Sequence, residues 1–187
     1  MNVTRVLNRE DAVLVVVDVQ ERLVPAIDKE LYARSLRNFK VAIETAGTLG
    51  LPIVLTEQYP KGLGHTLREL REALGPEVQA VPKVSFSCWA AEEVRARLRA
   101  AGTRRVILAG IEAHVCVLIS ALELMSEGLA VHVPADAVTS RTQGNWRLGT
   151  EQLRQGGAVV TATETIVFQL LGQGDTDDFR ELARLIR

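Results

Sequence analysis

Short apolar runs alternate with longer amphipathic stretches along this chain. Ala12–Val17 reads AVLVVV, an unbroken and mostly β-branched run of the kind that forms a strand covered on both faces. Leu31 to Leu49 instead carries apolar residues at helical spacing, and Gly50 supplies a stop. The pattern then repeats. Further strands are predicted at Ile53–Leu55, Val78–Val84, Arg105–Ala109, Ala130–Val133 and Ala158–Thr161. Helices are predicted at Ala90–Ala101, Ala113–Glu127 and Trp146–Gln155, and two more helical segments finish the chain. Strand–helix alternation repeated about six times predicts an α/β fold with a mainly parallel sheet. No repeat, low-complexity segment or linker interrupts it, so residues 1–187 are expected to form a single domain. In such sheets ligands bind outside the carboxyl ends of the strands, which makes polar residues at strand ends the ones to examine.

Composition narrows the classes. A chain of 187 residues can bury a sizeable core, and its formal net charge of −1 offers no electrostatic footprint for nucleic acid or an anionic membrane. Arg95, Arg97 and Arg99, then Arg104 and Arg105, are interrupted by Ala and Leu at helical spacing and read as a solvated helix face. Two cysteines without a CxxC form neither a disulfide framework nor a structural zinc site. The start MNVTRVLNRED has no signal-peptide pattern, and no apolar stretch approaches the ~20 residues a bilayer requires. A soluble chain of a reducing compartment is expected, hence a cytoplasmic one. The basic residues are lopsided, with eighteen Arg but four Lys (Lys29, Lys40, Lys61, Lys83), so a Lys in an apolar context stands out.

Three strand-end residues carry candidate chemistry. Asp18 directly follows the first apolar run; a carboxylate there suits a catalytic edge, and equally a helix cap or turn. Lys83 ends the third strand among Val, Phe and Trp, where a compact ammonium does work that Arg cannot; the plain alternative is a snorkelling surface Lys. Cys116 falls in the first turns of the helix after the fourth strand. Free Cys is commonly a small buried hydrophobe, but the positive end of a helix lowers a thiol pKa, and its free N–H groups can hold an oxyanion. Cys88 has no such setting and reads as packing. His114, two residues from Cys116, points to another side of the helix; His132 lies within a strand; His65 follows the Gly62–Gly64 pair, which is too short for a phosphate loop. None has metal-pair spacing. Whether His65 reaches the site through the fold stays open.

Together these residues resemble the isochorismatase-like cysteine hydrolase superfamily, almost end to end. The likeness rests on VLVVVDVQERLVPAI at 13–27, TEQYPKGLGHT at 56–66, VPKVSFSCW at 81–89 and AGIEAHVCVLISALELMSEGL at 109–129. PADAVTSR at 134–141 and TETIVFQLLG at 163–172 add to it, and the TEQYPKGLG stretch is similar to the isochorismatase domain-containing subgroup. The resemblance implies a three-layer α/β/α fold, Rossmann-type, with a central six-stranded mainly parallel sheet. It implies an Asp-Lys-Cys triad at Asp18, Lys83 and Cys116. It further implies a non-proline cis peptide at Ile111–Glu112, with the Glu112 and Cys116 N–H groups forming an oxyanion hole. Where nicotinamidases carry a metal-binding Asp/His set, this sequence has Thr56-Glu57-Gln58-Tyr59, so neither metal nor other cofactor is expected. True isochorismatases typically lack the Cys.

Retaining Cys116 favours hydrolysis of a small amide or related C–N bond through a thioester, with Asp18 moving the proton and Lys83 holding Asp18 ionised. Ether or ester cleavage is the neighbouring alternative. A non-catalytic oligomeric or redox-responsive member of the family is the distant one. Gln20, Tyr59, Phe86 and Trp89 are candidate lining of the substrate pocket, with core packing the alternative for each aromatic. Glu57 and Glu112 are expected to add negative charge at the mouth and disfavour anionic substrates. The expected partners are a small-molecule substrate and further copies of the chain, since family members form dimers, tetramers or larger rings.

Overall fold

The computed structural model describes residues 6–186. Its sheet is parallel throughout. The strands are β1 (Ala12–Val17), β2 (Ile53–Gln58), β3 (Ala80–Lys83), β4 (Arg105–Ile111), β5 (Ala130–Pro134), β6 (Val138–Thr139) and β7 (Val159–Thr161). The six expected strands form the path β3-β2-β1-β4-β5-β7, and the two-residue β6 pairs with β4 beyond the end of β5. Two residues are too few to show an alternation, so β6 has no sequence signature.

Helices cover both faces. Strands alternate their side chains, and β1 divides accordingly: Val13, Val15 and Val17 join one buried cluster, Leu14 and Val16 the other. The first cluster is closed by α4 (Glu92–Ala100), α5 (Cys116–Ser126) and α6 (Gln143–Gln155), through Val94, Leu98, Val117, Leu124 and Leu153. The second is closed by α1 (Lys29–Leu49), α3 (Arg68–Leu74) and α7 (Thr163–Leu171), through Phe39, Ile43, Leu70, Ile166 and Leu170. The result is a three-layer α/β/α arrangement. A terminal α8 (Asp177–Leu182) adds Leu182 to a satellite cluster with Val41 and Val167. Among the described residues no helix is long and apolar enough to cross a membrane.

Element ends follow local chemistry. α1 begins two residues before its first apolar position because Asp28 caps it, accepting from Glu30 N at 3.1 Å and Leu31 N at 3.0 Å. It ends on Gly50 in the left-handed region (φ 69°). The predicted helix at Ala113–Glu127 starts later, at Cys116, because residues 112–115 form the turn that leaves β4. The four-residue α2 (Pro60–Leu63) has no sequence signature, since Pro60, Gly62 and Gly64 mask any helical period there, and the seven-residue α3 is too short for its period to stand out.

The chain reverses direction of growth between β1 and β4: β2 and β3 extend the sheet one way, β5 and β7 the other. Such a switch point leaves a crevice beyond the strand ends. Here it needs an unusually close approach. Gly110 has φ 138°, and a Cβ on it would lie 2.1 Å from the Val17 carbonyl oxygen and 2.7 Å from Val17 N. Only glycine fits between these two strands, one residue before Asp18.

Two predictions follow from this core. Gly110→Ala should lose about 3 kcal/mol or more of stability, read as a lowered denaturant midpoint; an unchanged midpoint would contradict the close approach. His132 on β5 is fully buried with both ring nitrogens unpartnered. Burial, with a smaller contribution from the Arg105 guanidinium, pushes its pKa down from 6.5 to about 4. The unfolded chain therefore binds the extra proton first, and stability present above pH 6.5 is lost as pH falls from there toward 4. The expected slope is at most about 1.4 kcal/mol per pH unit, and His132→Leu should flatten it in urea titrations at stepped pH.

Candidate active site

Asp18, Lys83 and Cys116 come from three different strand ends and meet at the switch point. Asp18 follows β1 with φ 54°, a left-handed conformation that Asp tolerates better than most residues, and its N–H donates to Thr56 O at 3.2 Å. Lys83 closes β3, two strands away, and its long stem reaches over β2 to the carboxylate. Cys116 opens α5 on the other side of β1, so its N–H has no acceptor within the helix.

The carboxylate is fully buried and partnered on both oxygens. Lys83 Nζ donates to Asp18 Oδ2 at 2.6 Å, and Thr56 Oγ1 donates to Oδ1 at 2.7 Å. The ammonium also faces Gln58 Oε1 at 2.7 Å and the carbonyls of Ser85 and Phe86 at 3.1 and 3.3 Å. Cys116 is 8% exposed, and its thiol lies beside the Asp18 carboxylate and the Glu112 N–H, both of which act on its pKa. The Ile111–Glu112 peptide is cis. The turn is held from outside: Ala113 N donates to Thr139 O at 2.8 Å, and a Cβ on Gly149 of α6 would come within 2.8 Å of Ala113 C and His114 N.

Electrostatics here run against one expectation. Burial pushes the Cys116 thiol up to about 12; the Asp18 carboxylate adds to the rise, while the Lys83 ammonium and the Glu112 N–H oppose it. The helix-terminus reading predicted a lowered pKa, but a buried thiol facing an ionised carboxylate resists becoming a thiolate. Burial likewise raises the Asp18 pKa, against the pull of Lys83 and the hydrogen bonds it receives. Both groups are therefore shifted toward their protonated forms by the same burial. Cys88 is fully buried in the core cluster, and burial pushes its thiol up to about 11.

The expected lining residues divide. Gln20 is fully buried, and its amide hydrogens are spent on the carbonyls of Gln58 (3.0 Å) and Gly64 (2.7 Å), so it clamps the chain after β2 and does not line a mouth. Trp89 is half-buried against the core. Tyr59 and Phe86 are exposed, at 54% and 56%, and Tyr59 borders a cavity of about 580 Å³ with Pro60, Pro82, Val84 and Ala90. His65 does not join the triad: its Nδ1 lies 3.1 Å from Glu57 Oε2, and its side chain is 77% exposed. Burial alone would raise the Glu57 pKa, but bonds from the Thr66 N–H, His65 and the Thr66 hydroxyl outweigh it and hold the carboxyl below its usual range. Glu112 is likewise compensated, accepting from Arg141 Nε at 3.0 Å and Arg141 N at 3.1 Å. The Arg141 guanidinium thus offsets Glu112, while Glu57 keeps its negative charge and spends it on the Thr66 and His65 bonds.

Thr56 and Gln58 were not singled out as site residues. Both lie on β2, the strand that separates Asp18 from Lys83, and in sequence they register only as replacements for a metal-binding set. Among the described residues no three His, Cys, Asp or Glu cluster as a metal site would require.

The three-layer α/β fold thus brings Asp18, Lys83 and Cys116 together at the sheet's switch point. The isochorismatase domain model matches residues 12–165, and the chain belongs to that family. It is 36% identical over 182 residues to isochorismatase domain-containing protein 2 of Danio rerio, covering 96% of this chain and 89% of the relative. It is 34% identical over 170 residues to isochorismatase domain-containing protein 1 of Salmo salar, covering 91% of this chain but 59% of that longer relative. Among solved structures it is similar to the MAR1 ribonuclease of Caenorhabditis elegans, with a TM-score of 0.87 and 36% identity over 96% of this chain and 91% of that one.

The electrostatics predict that Cys116 is a neutral thiol in the resting protein. The thiolate absorbance near 240 nm, taken as the difference between wild type and Cys116→Ser, should stay flat from pH 6 to 9. A transition in that range would contradict the burial argument.

Proposed function

We propose that the protein hydrolyses a small amide or related C–N bond through a thioester on Cys116. The observation that carries this reading is the placement of one carboxylate, Asp18, against both the Lys83 ammonium and the Cys116 thiol. Asp18 takes the thiol proton as sulfur adds to the carbonyl carbon, and the oxyanion is received by the Glu112 and Cys116 N–H groups. The C–N bond then breaks, and Asp18 passes its proton to the leaving amine. Water attacks the thioester with Asp18 again as base; the acid departs, and the proton returns to sulfur. Lys83 keeps Asp18 ionised between these transfers, which contributes to a general acid–base effect of typically ~10²–10⁴ in rate.

The similarity to a protein described as a ribonuclease motivates RNA as a comparison substrate. The net charge of −1 argues for the small amide. Self-association belongs to the same proposal, since Tyr59, Val84 and Phe86 leave large apolar side chains uncovered beside the site.

The test is a panel of small amides assayed for amine release, with isochorismate and a single-stranded RNA alongside. At least one amide should turn over. Cys116→Ala and Asp18→Asn should each lower that turnover by about 10³-fold or more, with Cys116→Ala keeping the wild-type melting temperature. Full activity in Cys116→Ala, or turnover of RNA or isochorismate alone, would overturn the reading.

A further inference from the structure

The reaction above leaves a buried polar side chain at the site without a role. Gln58 ends β2, between the strands that carry Asp18 and Lys83. Its Oε1 accepts from Lys83 Nζ at 2.7 Å, nearly as short a bond as the 2.6 Å one Nζ gives to Asp18. Its Nε2 donates to Val84 O at 2.7 Å. The orientation of the amide is fixed by these partners, because an ammonium has only protons to give and a carbonyl only lone pairs. Its backbone is gripped as well: Gln58 N donates to Gln20 Oε1 at 2.7 Å, and Gln20 Nε2 donates to Gln58 O at 3.0 Å.

We propose that Gln58 is a positioning residue, holding the Lys83 ammonium in the orientation that keeps Asp18 set for proton exchange with Cys116. The proposal rests on the reading of those three residues as the reacting groups. A neutral acceptor suits the task. It engages one ammonium proton and leaves another aimed at Asp18 Oδ2, without offering a competing negative charge. A carboxylate at position 58 would share the ammonium with Asp18 and disfavour a second ionised acid beside it. An apolar residue would remove the shortest neutral acceptor and leave the head group to turn toward the longer bonds of the Ser85 and Phe86 carbonyls.

Alkylation of Cys116 by iodoacetamide, followed by intact mass with Cys116→Ala as the blank for Cys88, reads the activated thiol without needing a physiological substrate. In the near-isosteric Gln58→Glu, the acid limb of the rate–pH profile should move up by about one pH unit. In Gln58→Met the limb should stay in place while the plateau rate falls about tenfold. A merely structural role would leave both profiles superimposed on wild type, whatever happens to the melting temperature, and would overturn the proposal. Because alkylation reports the thiol and not turnover, failure of the hydrolase reading in the amide panel would remain distinguishable from failure here. Should a variant not fold, ¹⁵N-lysine NMR of the wild type decides, since the chain has four lysines to resolve. Lys83 should give a slowly exchanging ammonium signal, and exchange as fast as that of Lys29 or Lys61 would refute the positioning role.

Discussion

The buried ion pair between Asp18 and Lys83 is the constraint around which the rest of the structure is arranged. Taking two charges out of water is costly, and removing one partner from such a pair costs about 3–5 kcal/mol because the other is left uncompensated. The fold meets that cost with hydrogen bonds. Thr56 takes the second carboxylate oxygen, while Gln58 and the carbonyls of Ser85 and Phe86 surround the ammonium. The same desolvation that makes the pair expensive makes it useful. It raises the Asp18 pKa and pushes the Cys116 thiol up, and the proposed hydrolysis turns on proton transfer between the two.

Sheet topology supplies the geometry. With β1 central, β2 and β3 on one side and β4 on the other, residues 65 and 98 positions from Asp18 in sequence converge on its carboxylate. Lysine is suited to its place because its long stem crosses a whole strand, and β2 between them presents Thr56 and Gln58 to the pair. Gly110 lets β4 approach β1 closely enough for the turn at 111–115 to bring the Glu112 N–H against the sulfur. α6 presses on that turn through Gly149. Packing in the helical layer therefore bears directly on the placement of the N–H groups proposed to hold the oxyanion.

Much of this was legible in the sequence because it rides on strong patterns. AVLVVV followed by Asp, and a helix following RVILA, put Asp18 and Cys116 at strand ends on periodicity alone. The supporting residues were not legible. Thr56 and Gln58 are ordinary polar residues whose importance depends on register with β1 and β3, a tertiary fact. Gly110 looks like any glycine until β4 is laid beside β1. Gln20, assigned to the pocket for its nearness to Asp18, proved to be two backbone clamps. The Cys116 shift runs opposite to the helix-terminus expectation for a related reason. A helix terminus can be read from sequence, whereas the desolvation that outweighs it is a property of the packed site.

The central claim is that a protonated, buried thiol becomes a covalent nucleophile when Asp18 accepts its proton. Rapid-quench mass spectrometry on an amide that turns over tests it most directly. Digestion of protein quenched in acid during steady state should show the peptide containing Cys116 heavier by the acyl fragment of the substrate, with the label lost on addition of hydroxylamine. Steady product formation with an unmodified Cys116 peptide at every quench time, under conditions where acylation is faster than deacylation, would contradict it.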